Sequence, residues 1–257
     1  MGEHEGTGQS FVRRGLLRRL LRGAADMLFP AACVGCHMRV SEPGALCADC
    51  WRDLRFIEKP YCPVMGTPFS HDFGENFLCA EAIADPPPFH RLRSAVQHRG
   101  AAQRMAVSLK FYDRTDLAPW MARWMARAGR ELLDECEVIV PVPLHRRRFL
   151  QRRFNQSAEL ARALAATSAK PFAPQALVRF RATERQVGLG VKERRRNVDG
   201  AFRAPEAEEI HLRGRRVLLV DDVYTTGATV RAATRALMRG GAKSVDVLTF
   251  SRVLNEP

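Results

Sequence analysis

The chain has 257 residues, 46% of them hydrophobic and 27% charged, the composition of an ordinary soluble protein with one sizeable core and a small attached module. Its formal net charge of +13 implies an anionic partner: nucleic acid, a polyphosphate or an acidic membrane surface. No apolar run reaches the roughly 18 residues that cross a bilayer. The leading segment also lacks the apolar centre and cleavage site of a secretory signal, so a cytoplasmic setting with reduced cysteines is expected.

In chain order, residues 1–10 are polar and Gly-rich and are expected to be a disordered tail. Leu16, Leu17, Leu20, Leu21 and Leu28 then recur at helical spacing around Arg18, Arg19 and Arg22, the pattern of a helix packed on the protein body or lying on a membrane surface. Cys33-x2-Cys36 and Cys47-x2-Cys50 follow. Each pair can place two thiolates on one cation, and together they complete a tetrahedral, closed and therefore structural zinc site. Cys62-x2-Met65 and Cys79-x2-Ala82 offer one thiolate each; His71 or His90 could complete a site with them, though no second site is the favoured expectation. Pro86-Pro87-Pro88 marks a linker, placing a helix and zinc-knuckle module at 11–90 and the main domain at 91–257.

Past the linker, Leu117, Trp120, Met121, Trp124, Met125, Ala128 and Leu132 trace one helix face, with Asp116 as cap and Pro119 in the first turn. Cys136 reads as a small core residue ahead of a buried strand at Glu137–Val140. A helix is expected from Gln156 to Thr167 and strands at Ala176–Phe180, Val217–Val220 and Ser244–Phe250, with a helix from Ala228 to Arg239 ending at Gly240-Gly241. Alternating strands and helices predict an α/β domain with a mostly parallel sheet flanked by helices.

The most informative string is Val217-Leu-Leu-Val-Asp221-Asp222-Val-Tyr-Thr225-Thr226-Gly227-Ala228-Thr229. The strand brings two carboxylates to its carboxyl end, where ligands bind in open α/β sheets. Gly227 lets the backbone approach an anion, and the hydroxyls and free N–H groups of the next helix turn form a phosphate cradle. Adjacent carboxylates beside a phosphate suit the two hydroxyls of a ribose. A Walker-type loop needs Gly-Lys-Ser/Thr, which this loop lacks.

This string resembles the 5-phosphoribosyl-1-pyrophosphate (PRPP) motif of class I phosphoribosyltransferases. Val140-Pro-Val-Pro-Leu-His145-Arg146, Phe154-Asn155-Gln156 and the stretch from Gln186 to Phe202 extend the likeness to the ComF family of competence-associated proteins over most of Phe29 to Ser251. The resemblance implies that Asp221 and Asp222 hold the ribose hydroxyls, that Thr225, Thr226, Gly227, Ala228 and Thr229 hold the 5′-phosphate, and that magnesium accompanies PRPP. It places His145 and Arg146 in a pyrophosphate loop, and Lys192 and Arg194 in a mobile lid. Arg153 stands where the family usually has glycine, which alters the backbone conformations open to that loop.

A general base in the phosphate loop would fall at Thr225, which cannot ionise at neutral pH, so a purine-salvage role is disfavoured and the acceptor stays open. The expected activity is phosphoribosyl transfer to an unknown acceptor. Its rival is a binding protein for single-stranded DNA, associated with DNA-uptake partners and retaining PRPP as a regulatory ligand or relic.

Overall fold

The computed structural model describes residues 31–42, 44–112, 114–145, 154–181 and 200–254. The expected tail, the Leu/Arg-patterned segment, Arg146, Arg153, Lys192 and Arg194 lie outside them. The chain divides into two compact units, Met1–Trp51 and Arg52–Pro257. The sequence suggested a division near residue 90; residues 52–90 instead belong to the second unit. Their Cys62, Met65, Cys79, Ala82 and Phe89 are buried in one cluster with Leu92, Leu219 and Tyr224.

Strands β1 (Leu92–Gln97), β2 (Val138–Pro141), β5 (Arg216–Tyr224) and β6 (Ser244–Arg252) form a parallel sheet in the order β1-β6-β5-β2. Two short strands, β3 (Val178–Arg179) and β4 (Phe202–Arg203), pair antiparallel as a separate ribbon, so the strand expected over 176–180 is real but brief and outside the main sheet.

The described helices are α1 (Ala48–Asp53), α2 (Ala80–Ala84), α3 (Gly100–Phe111), α4 (Ala118–Ala128), α5 (Arg130–Glu135), α6 (Gln156–Ser168) and α7 (Ala228–Arg239). Alternation along the strands sends side chains to both faces. Val217 and Leu219 pack with Ala233, Ala236 and Leu237 of α7. On the other face Phe250 stacks on Trp124 of α4 at 6.1 Å between ring centroids.

The helix expected to run on to Leu132 breaks at Gly129. A Cβ there would sit 2.6 Å from the side-chain carbon Cδ1 of Leu248 on β6, so any larger residue would have to displace that side chain. Asp116 does not cap that helix. It binds the Arg114 guanidinium through two hydrogen bonds of 2.8 Å, and a 3₁₀ turn over Thr115–Leu117 leads into α4. Strand β1 escapes sequence patterning because Arg93 occupies a core position. Its charge is satisfied by Glu131 at 2.7 Å and by the carbonyls of Pro63 and Leu92, both at 2.9 Å, which removes the cost of burying it unpaired.

Candidate functional site

Strand β5 does not stop at Val220. It runs on through both acids to Tyr224, because β6 continues beside it and pairs Asp221 with Thr249, Val223 with Ser251 and Tyr224 with Arg252. The acids therefore sit on rigid, paired backbone. Asp221 is 8% exposed and Asp222 6%. Asp221 Oδ1 accepts from Ser157 Oγ at 2.9 Å and from the backbone N–H of Asp222 at 3.0 Å. Asp222 Oδ1 accepts from the Val223 N–H at 2.9 Å, while its buried Oδ2 has no partner among the described residues. A buried carboxylate oxygen without a donor is costly, so Oδ2 is an acceptor open to a hydroxyl of solvent or of a ligand. Burial, reinforced by the Asp222 charge, pushes Asp221 up to about 8.

Gly227 precedes α7 with φ +70°, and no side-chain hydrogen bond from Gly227 caps the start of α7. The loop floor is the Tyr224 ring: a Cβ on Gly227 would lie 2.4 Å from its hydroxyl, which donates to Glu81 of α2 at 3.1 Å. Thr226 and Thr229 are half-buried beside the glycine, Ala228 is buried, and Thr225 is exposed. The structure thus brings Asp221, Asp222 and the Thr225–Thr229 loop to one strand end. Two carboxylates can accept from vicinal hydroxyls there, and an uncapped helix start can take a phosphate.

His145 follows β2, the neighbour of β5, and is half-buried. Between them Asn155 has two local tasks. Its Nδ2 donates to the Val142 carbonyl at 3.0 Å, and its Oδ1 caps α6 by accepting from the Ser157 N–H at 3.1 Å. That cap aims Ser157 at Asp221. Ser157 was missed by sequence reasoning, although Phe154-Asn155-Gln156 immediately before it had been singled out. His98, at the end of β1, was also missed, and no motif marks it.

In the first unit the sulfurs of Cys33, Cys36, Cys47 and Cys50 lie within 4.8 Å of one another. A tetrahedral zinc–thiolate site needs sulfurs about 3.8 Å apart, so the cluster fits a structural zinc ion. Burial opposes ionisation of Cys33, but N–H groups directed at its sulfur, from Cys47 at 3.2 Å and Gly35 at 3.4 Å, help bring the thiol down to about 6. The second pair keeps the knuckle geometry without the ligands. Met65 and Cys79 both direct N–H groups at Cys62 Sγ at 3.4 Å, yet Met65 and Ala82 stand at ligand positions as core residues, 0% and 5% exposed. His71 meets Ser70 and His90 meets Asp246, and neither joins a metal-ligating group among the described residues.

Residues 24–83 match the double zinc ribbon domain and residues 159–254 the phosphoribosyl transferase domain. The chain is 33% identical to the DNA utilization protein YhgH of Escherichia coli O157:H7 over 88% of this chain and 98% of that protein. It is 26% identical to competence protein F of Haemophilus influenzae over 87% and 98%, and 27% identical to competence protein ComFC of Bacillus subtilis over 80% and 84%. A solved allosteric regulatory enzyme of purine biosynthesis aligns at 20% identity with a TM-score of 0.38, covering 56% of this chain and 30% of that one.

Proposed function

The chain belongs to the ComF family, with YhgH and the competence proteins among its relatives, and from that membership we propose that it binds PRPP with magnesium and transfers the phosphoribosyl group to an acceptor, releasing pyrophosphate. The observation that carries this is the buried, partnerless Oδ2 of Asp222 beside Asp221, next to the Gly227 loop. Asp221 and Asp222 accept the ribose 2′- and 3′-hydroxyls, and the Thr225–Thr229 turn with the start of α7 holds the 5′-phosphate. His145, with Arg146, stabilises the pyrophosphate from the β2 side. The family resemblance assigns Lys192 and Arg194, outside the described residues, to the same pyrophosphate.

Magnesium would be held beside Asp221 and Asp222 together with PRPP, and would supply charge neutralisation for the departing pyrophosphate. Asp222, buried beside that position with Oδ2 unpartnered among the described residues, suits a cationic neighbour, whose charge would also oppose the upward shift of Asp221. The protein's contribution is placement of the sugar on a rigid strand and stabilisation of the positive ring that develops at C1.

Calorimetric titration with magnesium and PRPP tests the binding. Wild type is expected to bind, and the Asp221→Asn, Asp222→Asn double variant to lose at least about tenfold in affinity. Equal binding by both, or none by wild type, would sink the proposal. A second reading, binding of single-stranded DNA, is favoured by the relatives' names, by the net charge of +13, and by Phe111 and Tyr112, 60% and 71% exposed beside Lys110.

A further inference from the structure

Sugar and pyrophosphate leave one side of the strand end unassigned. Strand β2 flanks β5 on the His145 side; β6 and then β1 flank it on the other. At the end of β1 lies His98, fixed from two directions. Its backbone N–H donates to the Arg252 carbonyl at 2.7 Å, and its ring Nδ1 is 2.9 Å from the buried Ser251 Oγ. Ser251 pairs in register with Val223, directly after the acids. The strands are about 4.8 Å apart, so the imidazole stands about two strand spacings from the sugar site.

We propose, on the premise that the strand end holds PRPP, that the acceptor enters over the ends of β6 and β1 and that His98 is the general base that takes its proton. With Nδ1–H donated to Ser251 Oγ, Nε2 presents a lone pair that no described residue occupies. The acceptor is a protic nucleophile. Its lone pair forms the bond to C1, the C1–O bond breaks with its electron pair going to pyrophosphate, and the acceptor's proton moves to Nε2. The resulting imidazolium then returns that proton to solvent.

The surroundings suit this cycle. Burial lowers the imidazole pKa and so keeps the base neutral, the Asp222 charge on β5 opposes that shift, and the Lys110 charge on α3 adds to it. Asp222 also favours the imidazolium once it forms. Thr225 leaves the phosphate loop without a base, so the role is not duplicated there.

The test uses the full chain with magnesium and PRPP, and water as the probe acceptor. Pyrophosphate release is followed at saturating PRPP from pH 5 to pH 8.5, with PRPP affinity measured separately by calorimetry. Wild-type release is expected to rise with pH through a midpoint below 6.5 and then level off. His98→Gln should bind PRPP within about threefold of wild type, release pyrophosphate about 100-fold more slowly, and lose the acidic limb. Ser251→Ala, a smaller change that frees Nδ1, should move the midpoint while keeping the limb.

Release by His98→Gln at the wild-type rate and with the wild-type pH profile overturns the proposal. Bound PRPP without any release by wild type also overturns it. Failure of PRPP to bind wild type overturns the sugar-phosphate reading itself and takes this role with it.

Discussion

Asp221 accepts from Ser157 and from the Asp222 N–H, yet burial and the Asp222 charge push its carboxyl up to about 8. Between the ordinary 3.8 and about 8, the folded chain holds a proton that the unfolded chain has lost. Folding stability from this group is therefore present at low pH and declines as pH rises through that window. Asp221→Asn keeps an acceptor for both hydrogen bonds and cannot ionise. It is expected to match wild type in thermal unfolding at pH 5 and to be more stable at pH 9 by more than about 1 kcal/mol, while binding PRPP more weakly. Equal melting at pH 9 would show that Asp221 is not held protonated. Gly227→Ala meets two obstacles, the positive φ and the Tyr224 hydroxyl 2.4 Å from the new Cβ, and should cost about 2 kcal/mol in denaturant unfolding. Tyr224→Phe in the same chain should return part of that loss, because the clashing oxygen is gone. The acids and glycine were legible because their types and order are unusual. Ser157 was not, since a serine at a helix start more often caps or faces water, and only the Asn155 cap turns it toward Asp221.

At the scale of elements, Cys62 and Cys79 belong to the hydrophobic core rather than to a metal-ligating group among the described residues. Cys62 receives the same two N–H contacts that shape a zinc knuckle, but Met65 and Ala82 fill the remaining positions and pack with Leu92 and Tyr224. Metal analysis of the purified chain should give one zinc per molecule. The double substitution Met65→Cys, Ala82→Cys should raise that to two, because the backbone already directs its donors at the sulfur. A ratio that stays at one would show that the knuckle has drifted from ligand geometry. The same element-level logic explains the errors of patterning. The apolar run of β5 ended at Val220, but the strand continues because β6 supplies hydrogen-bond partners beyond it. Strand β1 was hidden by Arg93, whose place in the core depends on Glu131 in α5, a partner distant in sequence. The helix break falls at Gly129, whose small size lets the Leu248 side chain, remote in sequence, pack against it.

For the whole molecule, a net charge of +13 exceeds what one sugar phosphate with magnesium needs, and Phe111 and Tyr112 project where Lys110 adds positive charge. If the surplus serves single-stranded DNA, backbone contacts and base stacking contribute separable terms. Phosphate contacts release counterions, so affinity for a labelled oligothymidine should fall with salt, the log–log slope being about −0.7 for each phosphate neutralised. Stacking is indifferent to salt. Tyr112→Ala and Phe111→Ala are therefore expected to weaken binding by about 1 kcal/mol or more at every salt concentration, leaving the slope unchanged. Lys110→Ala should instead reduce the slope by about 0.7. Fluorescence anisotropy from 50 to 300 mM salt distinguishes these outcomes. An oligonucleotide that binds with a steep slope but ignores both aromatic substitutions would mean that the charge attracts any polyanion and that the exposed rings have another use. Neither result bears on the proposed PRPP binding, which is assigned to Asp221, Asp222 and the Thr225–Thr229 turn rather than to Lys110, Phe111 or Tyr112. A chain that fails to bind DNA can still hold the sugar.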